Sequence, residues 1–512
     1  MTDTTDTTVP GDASTAAGTR SATTPSAATT PPGATAPDVP AHAAFARQLG
    51  EFVTASPSSY HAVAAAAREL DAAGFTALSE TAPWDELAPG RWYTVRDGAL
   101  IAWVTPSGAA PGTGYRILGA HTDSPGFKLK PRPTTVTHRW YQAGVEVYGG
   151  ALLNSWLDRD LRFAGRLVVR DGNGGTRELL TATGPVARIP QLAIHLDRSV
   201  NEALTLDRQR HVQPVWGVGD AQDADVLAAL AEATLAPVAG SGSANPTRET
   251  PSTWETAASG KNSTAQDVGT TGANPVLGSL DPADILGYDI TVADTQAPEL
   301  IGAQQNLLAS GRLDNLTSVF AGLRAMVEHA EELESARQIS VLAAFDHEEV
   351  GSATRSGAGG PFLEDVLVRI GAALGESRDD QLRALANSVC LSSDAGHLVH
   401  PNYQGHHDPV NTPEPSRGPL LKINAQQRYT TDSVGAALWA QACERAGVPY
   451  QEFVSNNTVP CGSTIGPITA TRLGIRTLDV GVGLLSMHSA RELVHTADLH
   501  ALRGAIGGFW RA

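Results

Sequence analysis

Five polar clusters in this sequence carry side chains that can bind metal ions or transfer protons. They are His121-Thr122-Asp123, Asp314-Asn315, Asp346-His347-Glu348-Glu349, Asp394 with His397 and His400, and His488. Each cluster alone has an ordinary structural explanation, because an Asp before a helix caps backbone N–H groups and adjacent Glu residues form solvated acidic loops. Together, however, their histidines and carboxylates are the ligand types that a pair of zinc-like divalent cations requires, and no thiolate is needed.

The chemistry predicted for such a cluster is the activation of water. A shared carboxylate holds two cations about 3.5–4 Å apart, where they polarise a carbonyl group and lower the pKa of a bound water. Without cations, repulsion between carboxylates packed this closely would keep some of them protonated. The cluster of acidic residues therefore predicts bound metal. Of the neighbours Glu348 and Glu349, one can bind metal while the other takes a proton from the water and passes it to a leaving amine.

Other catalytic signatures are missing from the sequence. The HEEVG run from His347 lacks the second histidine of the helical H-E-x-x-H zinc site, and neither a G-x-S-x-G elbow nor a phosphate-binding G-x-x-x-x-G-K-[ST] loop occurs. The run CGST from Cys461 is compatible with a thiol nucleophile, but a lone cysteine beside glycine is more often structural. We therefore expect this run to be backbone scaffolding near the site.

Strands and helices must bring these clusters to one place. Four apolar, β-branched runs stop just before polar residues: YRILGA before His121, RQISVLAAF before Asp346, NSVCLSS before Asp394 and IRTLDVGVG before Leu484. Helical patterns alternate with them, over residues 315–334, 61–73 and 432–446. This alternation predicts an α/β domain with its site at the carboxyl ends of the strands. Hairpin-like runs over about residues 134–240 predict a smaller, β-rich second domain.

Composition narrows the classes of function. The chain has 512 residues, enough for a large core, and a formal charge of −17, which repels nucleic acid and anionic lipid. We therefore expect neither nucleic acid nor membrane as a partner. Cys390, Cys443 and Cys461 are too few for a disulfide framework, and no apolar run approaches the roughly 18 residues of a membrane span, so a cytoplasmic location is predicted. Residues 1–40 and 240–278 have the low-complexity composition of a disordered tail and loop.

Seven ordered motifs resemble the aspartyl aminopeptidase family of dizinc metallopeptidases. They are GAHTDSPGFKLKP from Gly119, RLDNL from Arg312, DHEEVGS from Asp346, SSDAGHLVHPNY from Ser392, LKINAQQRY from Leu421, CGSTIGP from Cys461 and MHSARE from Met487. The resemblance runs from about residue 41 to the C-terminus, apart from the low-complexity loop. It implies a zinc-peptidase-type α/β catalytic domain, formed by residues 41–125 and 298–512, interrupted at 126–297 by a smaller β-rich dimerisation domain that contains the loop 240–278.

The family's metal ligands match residues of this chain. The resemblance implies two Zn²⁺ per subunit, with one zinc bound by His121 and Asp394, the other bound by Glu349 and His488, and Asp314 bridging them. Cobalt and manganese use the same ligand types, so the resemblance leaves the native metal open.

The same resemblance assigns the remaining site residues. Glu348 is implied as the general base and Asp123 as the group that orients His121. Three further residues, Lys422, Tyr429 and His397, are implied around the N-terminal residue of the substrate. Lys422 is our candidate for pairing with an acidic substrate side chain, because burying that side chain requires a cation. From spacing alone Lys422 would be taken for an exposed surface lysine.

The function implied is a cytoplasmic metalloaminopeptidase that removes N-terminal Asp or Glu from peptides and forms a homo-oligomer, with a dodecamer as the family's common assembly. Asn154 and Thr458 stand where the family often has a histidine and an acid, and both positions bear on the choice of N-terminal residue. A broader aminopeptidase favouring neutral residues is therefore the alternative. A non-catalytic assembly protein ranks last, because every implied ligand and Glu348 are present.

Overall fold

A computed structural model describes residues 40–84, 87, 89–235 and 280–512 of the chain. The predicted disordered tail, apart from Pro40, and the predicted loop 240–278 lie outside the described residues. Within the described ranges, none of the helices has the length and apolar character that crossing a membrane requires.

The helices and strands are numbered here in chain order. The helices are α1 (Ala41–Thr54), α2 (Ser59–Ala72), α3 (Val226–Leu235), α4 (Leu313–Glu328), α5 (Ala330–Leu333), α6 (Phe362–Ala373), α7 (Arg378–Ala386), α8 (Ser433–Ala446), α9 (Ile465–Leu473) and α10 (Thr496–Trp510). The first ten strands are β1 (Thr76–Ala77), β2 (Gly90–Arg96), β3 (Ala99–Thr105), β4 (Tyr115–His121), β5 (Gly126–Thr137), β6 (Trp140–Tyr148), β7 (Leu161–Arg170), β8 (Thr176–Ala182), β9 (Val215–Val218) and β10 (Ile285–Asp294). The others are β11 (Glu299–Ile301), β12 (Leu307–Ser310), β13 (Ile339–Phe345), β14 (Val389–Ser393), β15 (Gly396–His397), β16 (Leu420–Ile423), β17 (Gln451–Val454), β18 (Arg476–Gly481), β19 (Gly483–Leu485) and β20 (Glu492–His495).

A nine-stranded sheet is the centre of the α/β domain. Its strand order is β1-β2-β3-β13-β4-β14-β18-β16-β17. The central strands β13, β4, β14 and β18 run parallel to one another, and they contain the four apolar runs that precede the polar clusters. Because the carboxyl ends of parallel strands meet at one edge of a sheet, the residues that follow these strands are brought together.

Both faces of this sheet are buried, which explains the continuous apolar runs of its strands. In β3, Leu100 and Ala102 pack into a core formed with α1, α2, α4, α8 and α10, whereas Ile101 and Trp103 point to the opposite core, formed with α6, α7 and α9. Helix α8 begins after Asp432, whose side chain accepts a hydrogen bond from the N–H of Gly435. The helical pattern over 315–334 forms two helices, α4 and α5, because the chain leaves helical geometry at His329.

A six-stranded sheet forms the β-rich part of the chain. Its order is β8-β7-β10-β5-β6-β9, its neighbours are antiparallel, and it has its own apolar core around Phe127, Phe163 and Ile290. In sequence it lies between β4 and β11 of the α/β domain. The predicted fold, an α/β domain interrupted by a smaller β-rich domain, is confirmed.

A third sheet, of order β11-β12-β20-β19-β15, lies beside the main one. It contains His397 at the end of β15, and the chain between β19 and β20 carries His488. This small sheet therefore supplies a residue to the polar cluster that the main sheet does not.

Candidate metal centre

Strand register places the first pair of predicted ligands side by side. His121 is the last residue of β4, and Asp394 follows β14 directly. These two strands are parallel neighbours, with Ser392 paired to Gly119, so Asp394 comes level with His121. The Nε2 atom of His121 lies 3.4 Å from Asp394 Oδ1 and 3.4 Å from Asp314 Oδ1. We call the space between these three side chains the first position.

The second pair of predicted ligands stands on loops. Glu349 lies in a short 3₁₀ turn after β13, and His488 lies between β19 and β20 in a left-handed backbone conformation, with φ 65°. The Nε2 atom of His488 is 3.5 Å from Glu349 Oε2 and 3.4 Å from Asp314 Oδ2. We call the space between these side chains and Asp314 the second position.

Asp314 contributes one oxygen to each position. It lies in the first turn of α4, and its side chain is 4% exposed. Its carbonyl oxygen accepts a hydrogen bond from Ser124, and the next residue, Asn315, donates its side-chain N–H to the carbonyl of Ser393, the last residue of β14. Both ends of this turn are therefore held against the strands that carry the first-position ligands.

The donor set fits a pair of divalent cations. Among the described residues, three overlapping trios have ligand atoms within 4.8 Å of one another: His121 with Asp314 and Asp394, Asp314 with Glu349 and His488, and His121 with Glu348 and Glu349. The buried atoms Asp314 Oδ1 and Glu349 Oε1 form no hydrogen bond. Buried acceptors without a donor are costly unless a cation faces them, so the residues present suit metal.

Crowding of the acidic side chains raises the pKa values of both glutamates, and a bound cation would lower them again. Burial raises the pKa of Glu348 to about 7, and the charges of Asp394, Asp123 and Asp314 add to the effect. Burial and the charge of Asp314 also raise the pKa of Glu349 well above its usual range. Like charges held this close cannot all ionise unless positive charge is added.

Asp123 connects several parts of the centre. Its backbone carbonyl lies 3.0 Å from His121 Nδ1, and its Oδ1 lies 3.4 Å from the same nitrogen. Its two carboxylate oxygens also accept hydrogen bonds from the backbone N–H groups of Glu348 (3.0 Å) and Glu349 (3.2 Å). The carboxylate thus orients the imidazole of His121 and anchors the turn that carries both glutamates.

The β-rich domain reaches the second position through its segment 148–155. Tyr148 at the end of β6 donates its hydroxyl to Asp123 Oδ2 (2.8 Å), and the carbonyl of Gly150 lies 3.1 Å from His488 Nδ1. Gly149 adopts φ 66°, and a Cβ there would lie 3.1 Å from Glu349 Cβ, so glycine permits this close approach. Because the carbonyl of Gly150 occupies Nδ1 of His488, its other ring nitrogen, Nε2, is the one that faces Asp314 and Glu349.

Lys422, predicted to bind substrate, is 1% exposed rather than a surface lysine. It lies on β16, and its Nζ donates to the carbonyl of Ala395 (2.7 Å) and is 3.7 Å from Asp394 Oδ2. The same ammonium group lies over the ring of Tyr429, 5.3 Å from its centroid. A buried cation is therefore placed directly beside a first-position ligand.

The other predicted substrate-binding residues surround this lysine. The ring of Tyr429 is buried against Phe453, and burial raises the pKa of its phenol. His397 is exposed, and the charges acting on its imidazole include those of Lys422, Asp314 and His488. Asn154 and Thr458, at the two positions that depart from the family pattern, are exposed.

Sequence reasoning assigned no role to two residues that contact the centre. Glu492 is buried, and its carboxylate accepts hydrogen bonds from the backbone N–H groups of Asp314 (3.0 Å) and His488 (2.8 Å). Tyr148 contacts Asp123 as described above. Glu492 lies in the MHSARE motif, four residues after His488, and that proximity was the available signal; nothing in the spacing singled out Tyr148.

The chain matches a known protein family over most of its length. The sequence profile of the family described as "Aminopeptidase I zinc metalloprotease (M18)" matches residues 52–510. A "Probable M18 family aminopeptidase 2" from Streptomyces avermitilis is 49% identical over 463 residues, which cover 90% of this chain and 96% of the relative.

Two solved structures share the fold of this chain. An Ape4 protein, solved by cryo-electron microscopy in an Ape4 and Nbr1 complex, has a TM-score of 0.82 and 32% identity, covering 92% of this chain and 86% of its own. The S. cerevisiae mApe1 dodecamer has a TM-score of 0.74 and 26% identity, covering 92% of this chain and 98% of its own.

Proposed function

The chain belongs to the M18 family of zinc aminopeptidases, and we propose that it removes acidic residues, Asp and Glu, from the N-termini of peptides. The observation that most supports a two-cation hydrolytic centre is the placement of Asp314, whose two carboxylate oxygens face different histidine–carboxylate pairs, each 3.4 Å from a histidine Nε2.

In this proposal His121 and Asp394 hold one cation, Glu349 and His488 hold the other, and Asp314 contributes to both. The cations are Zn²⁺ in the first instance, with Co²⁺ or Mn²⁺ compatible with the same ligands. Bound there, a pair of divalent cations supplies Lewis acidity, which polarises the scissile carbonyl group and acidifies water.

Glu348 is the proposed general base. Its carboxylate accepts a proton from the attacking water and donates it to the nitrogen of the departing peptide, which leaves as an amine. Asp123 supports this role, because its hydrogen bonds to the N–H groups of Glu348 and Glu349 fix the turn from which Glu348 projects. Lys422, Tyr429 and His397 are the proposed contacts to the N-terminal residue.

The test of the base is Glu348→Gln. This variant keeps the size of the side chain and its polarity but cannot accept the proton, so kcat is expected to fall by roughly 10²–10⁴-fold with metal content unchanged. Glu331→Gln, in the first turn of α5, is the matched control and is expected to keep full activity. Turnover by Glu348→Gln equal to that of the wild type would reject the assignment.

The acidic preference rests on Lys422 as the cation opposite the substrate carboxylate. Comparison of kcat/KM for Asp-, Glu- and Leu-terminal peptides tests it, with the Asp and Glu substrates expected to be preferred. Lys422→Met is expected to lower the Asp-to-Leu ratio of kcat/KM by roughly 10-fold or more, because an unpaired carboxylate is then desolvated. A higher kcat/KM for the Leu-terminal peptide in the wild type would contradict the acidic preference.

One observation favours a second candidate, a broader aminopeptidase that prefers neutral residues. The ammonium group of Lys422 already has the carbonyl of Ala395 and the carboxylate of Asp394 within 3.7 Å. If that charge is fully balanced in the resting site, an acidic substrate gains little from it. The peptide comparison described above separates the two functions.

We also propose that the chain forms a homo-oligomer through its β-rich domain, with the dodecamer of mApe1 as the pattern. Large apolar side chains are exposed on this domain, with Leu196 75% exposed: Trp140, Leu192, Ile194, Leu196 and Val218. Light scattering should give a mass well above one chain, and Leu196→Asp should lower it, whereas Leu382→Asp on α7 should not. A monomeric wild type would contradict the proposal.

We propose a cytoplasmic location because the cysteines Cys390, Cys443 and Cys461 are all free, as expected in a reducing compartment. Fractionation of the native host, with the protein followed by antibody, tests it. Recovery of the protein with secreted material would contradict it.

A further inference from the structure

A buried carboxylate on β18 connects two segments that border the proposed substrate pocket. The carboxylate belongs to Asp479, which is fully buried. Its Oδ2 atom accepts hydrogen bonds from the N–H (2.6 Å) and the hydroxyl (2.7 Å) of Thr430, and its Oδ1 atom accepts one from the hydroxyl of Thr464 (2.5 Å). Thr430 directly follows Tyr429, and Thr464 ends the CGST run that begins at Cys461. One side chain thus holds the two segments together.

Strand register places this carboxylate beside the substrate pocket. Asp479 pairs with Lys422 of the neighbouring strand β16, which runs antiparallel to β18. Residues directly opposite each other on antiparallel strands point to the same face of the sheet. The ammonium group of Lys422 lies over the ring of Tyr429 on that face. Asp479 therefore shares a face with two of the side chains that are proposed to contact the N-terminal residue of the substrate.

The CGST run meets Asp479 at the start of helix α9. Thr464 is the N-terminal cap of this helix, and its hydroxyl oxygen accepts a hydrogen bond from the N–H of Gly466 (3.3 Å). A Cβ at position 466 would lie 2.5 Å from Asp479 Oδ1, so glycine is what allows the first turn of the helix to approach the carboxylate. The N-terminus of a helix carries partial positive charge, which stabilises a buried anion placed against it.

Cys461 gives this second segment its contact with Tyr429. The cysteine is partly exposed and packs against the small apolar cluster that contains the tyrosine ring. Burial raises the pKa of the Tyr429 phenol, and the thiol of Cys461, which shares a hydrogen bond with it, adds to the rise. The tyrosine is therefore held at its backbone through Thr430 and at its hydroxyl through Cys461, and Asp479 joins the two supports.

We propose that Asp479 is a positioning residue for recognition of the N-terminal residue of the substrate. By tying the segment of Tyr429 to the segment of Cys461, its carboxylate fixes the direction of the Tyr429 hydroxyl. Its negative charge matters because hydrogen bonds to an ionised acceptor are roughly twice as strong as those between neutral groups. This role rests on the proposed function, in which Tyr429 contacts the N-terminal residue, but it holds whichever side chain the enzyme prefers there.

The first test is the selectivity of Asp479→Asn, measured with the full-length holoenzyme. The amide has one acceptor oxygen and no charge, so the bonds to Thr430 and Thr464 cannot both keep their strength. The ratio of kcat/KM between the best and the poorest of Asp-, Glu- and Leu-terminal peptides is expected to move towards 1 by about 3–10-fold, because a mobile Tyr429 discriminates less between side chains. A ratio does not depend on the fraction of active enzyme, so a loss of folded protein alone would leave it unchanged.

Asp380→Asn is the matched control. Asp380 on α7 accepts hydrogen bonds from the N–H (3.0 Å) and the hydroxyl (2.6 Å) of Ser377, which is the arrangement that Asp479 has with Thr430. This variant therefore makes the same chemical change in another helix of the α/β domain, and it should keep the wild-type ratio.

The second test is alkylation of Cys461 by iodoacetamide, which needs no catalytic assay. Releasing Tyr429 uncovers the thiol, so Cys461 of Asp479→Asn is expected to react about 3-fold or more faster than that of the wild type. Peptide mass spectrometry follows each cysteine separately. Cys390 and Cys443 are buried and free, so their alkylation reports unfolding of the variant.

If Asp479→Asn does not fold, Thr430→Val takes its place, because it removes only the hydroxyl hydrogen bond and should shift both measurements in the same direction. An unchanged peptide ratio, or an alkylation rate of Cys461 equal to that of the wild type, would overturn the role of Asp479. If the wild type releases no N-terminal residue from any peptide, the proposed function fails instead, and the alkylation rates alone decide whether Asp479 joins the two segments.

Discussion

His121 and Asp394 stand at the ends of neighbouring parallel strands, whereas Glu349 and His488 stand on loops. The imidazole of His121 is 2% exposed and lies inside the α/β domain, while that of His488 is 31% exposed and is held by Gly150 of the β-rich domain. The first position is thus built by strand register, and the second by contacts between segments distant in sequence. We infer that the second position binds its cation less firmly, and that the β-rich domain influences it.

Removing the shared carboxylate should have the largest effect, because it belongs to both positions. Asp314→Asn is expected to lower kcat/KM at least about 10³-fold and to reduce the bound metal below two per chain. Steady-state kinetics with metal analysis on the same sample checks this. Two tightly bound metals in the variant would show that Asp314 is not shared.

Chelation should distinguish the positions directly. Under dialysis against a chelator, the cation of the second position is expected to leave in a fast phase, because that position is more exposed and lies on loops. Metal content then falls from two to one per chain, and the cation of the first position is expected to leave roughly 10-fold or more slowly. Metal content measured against time by plasma mass spectrometry gives the phases. Loss of both metals in one phase would remove the distinction drawn between the two positions.

Glu492→Gln should weaken the second position more than the first. The carboxylate accepts hydrogen bonds from the backbone N–H groups of Asp314 and His488. The NH₂ group of a glutamine amide cannot accept a hydrogen bond, so the variant loses one of the two. We expect roughly 10–100-fold weaker binding of one metal, with a smaller change for the other. Glu452→Gln, exposed on β17, is the matched control. Metal titration of the apoenzyme measures both constants, and equal weakening of both positions would count against this role.

Tyr148→Phe should have the smallest effect of the series. It removes one hydrogen bond from the β-rich domain to Asp123, so kcat is expected to fall about 3–10-fold with KM little changed. Tyr288→Phe removes a comparable hydroxyl hydrogen bond, to the carbonyl of Lys130 within the same domain, and should leave kcat unaltered. If both variants behave alike, the influence of the β-rich domain on the centre does not run through Tyr148.

The first position could be predicted well from the sequence. Apolar runs that end at His121 and Asp394 identify parallel strands, and the carboxyl ends of parallel strands converge. The family resemblance, which the comparisons confirm, added the expected ligands on loops. The α/β fold followed from the alternation of strands and helices, the β-rich part from its hairpin-like runs, and the insertion of one domain into the other from the family resemblance.

The contacts around the second position could not be predicted in the same way. Gly150 and Tyr148 belong to a different domain from His488 and Asp123, and no sequence period relates them. Lys422 sits on a short strand whose spacing suits a surface lysine, and its burial arises from packing against Ala395 and Asp394. The metal ligands and the base remain predictions that only bound metal and kinetics can test.

The most direct test of the metal centre is an anomalous difference map, recorded at the zinc edge from crystals of the holoenzyme. We predict two peaks per chain, one between His121, Asp394 and Asp314 Oδ1, and the other between Glu349, His488 and Asp314 Oδ2. A single peak, or peaks away from Asp314, would contradict a centre in which two cations share that aspartate.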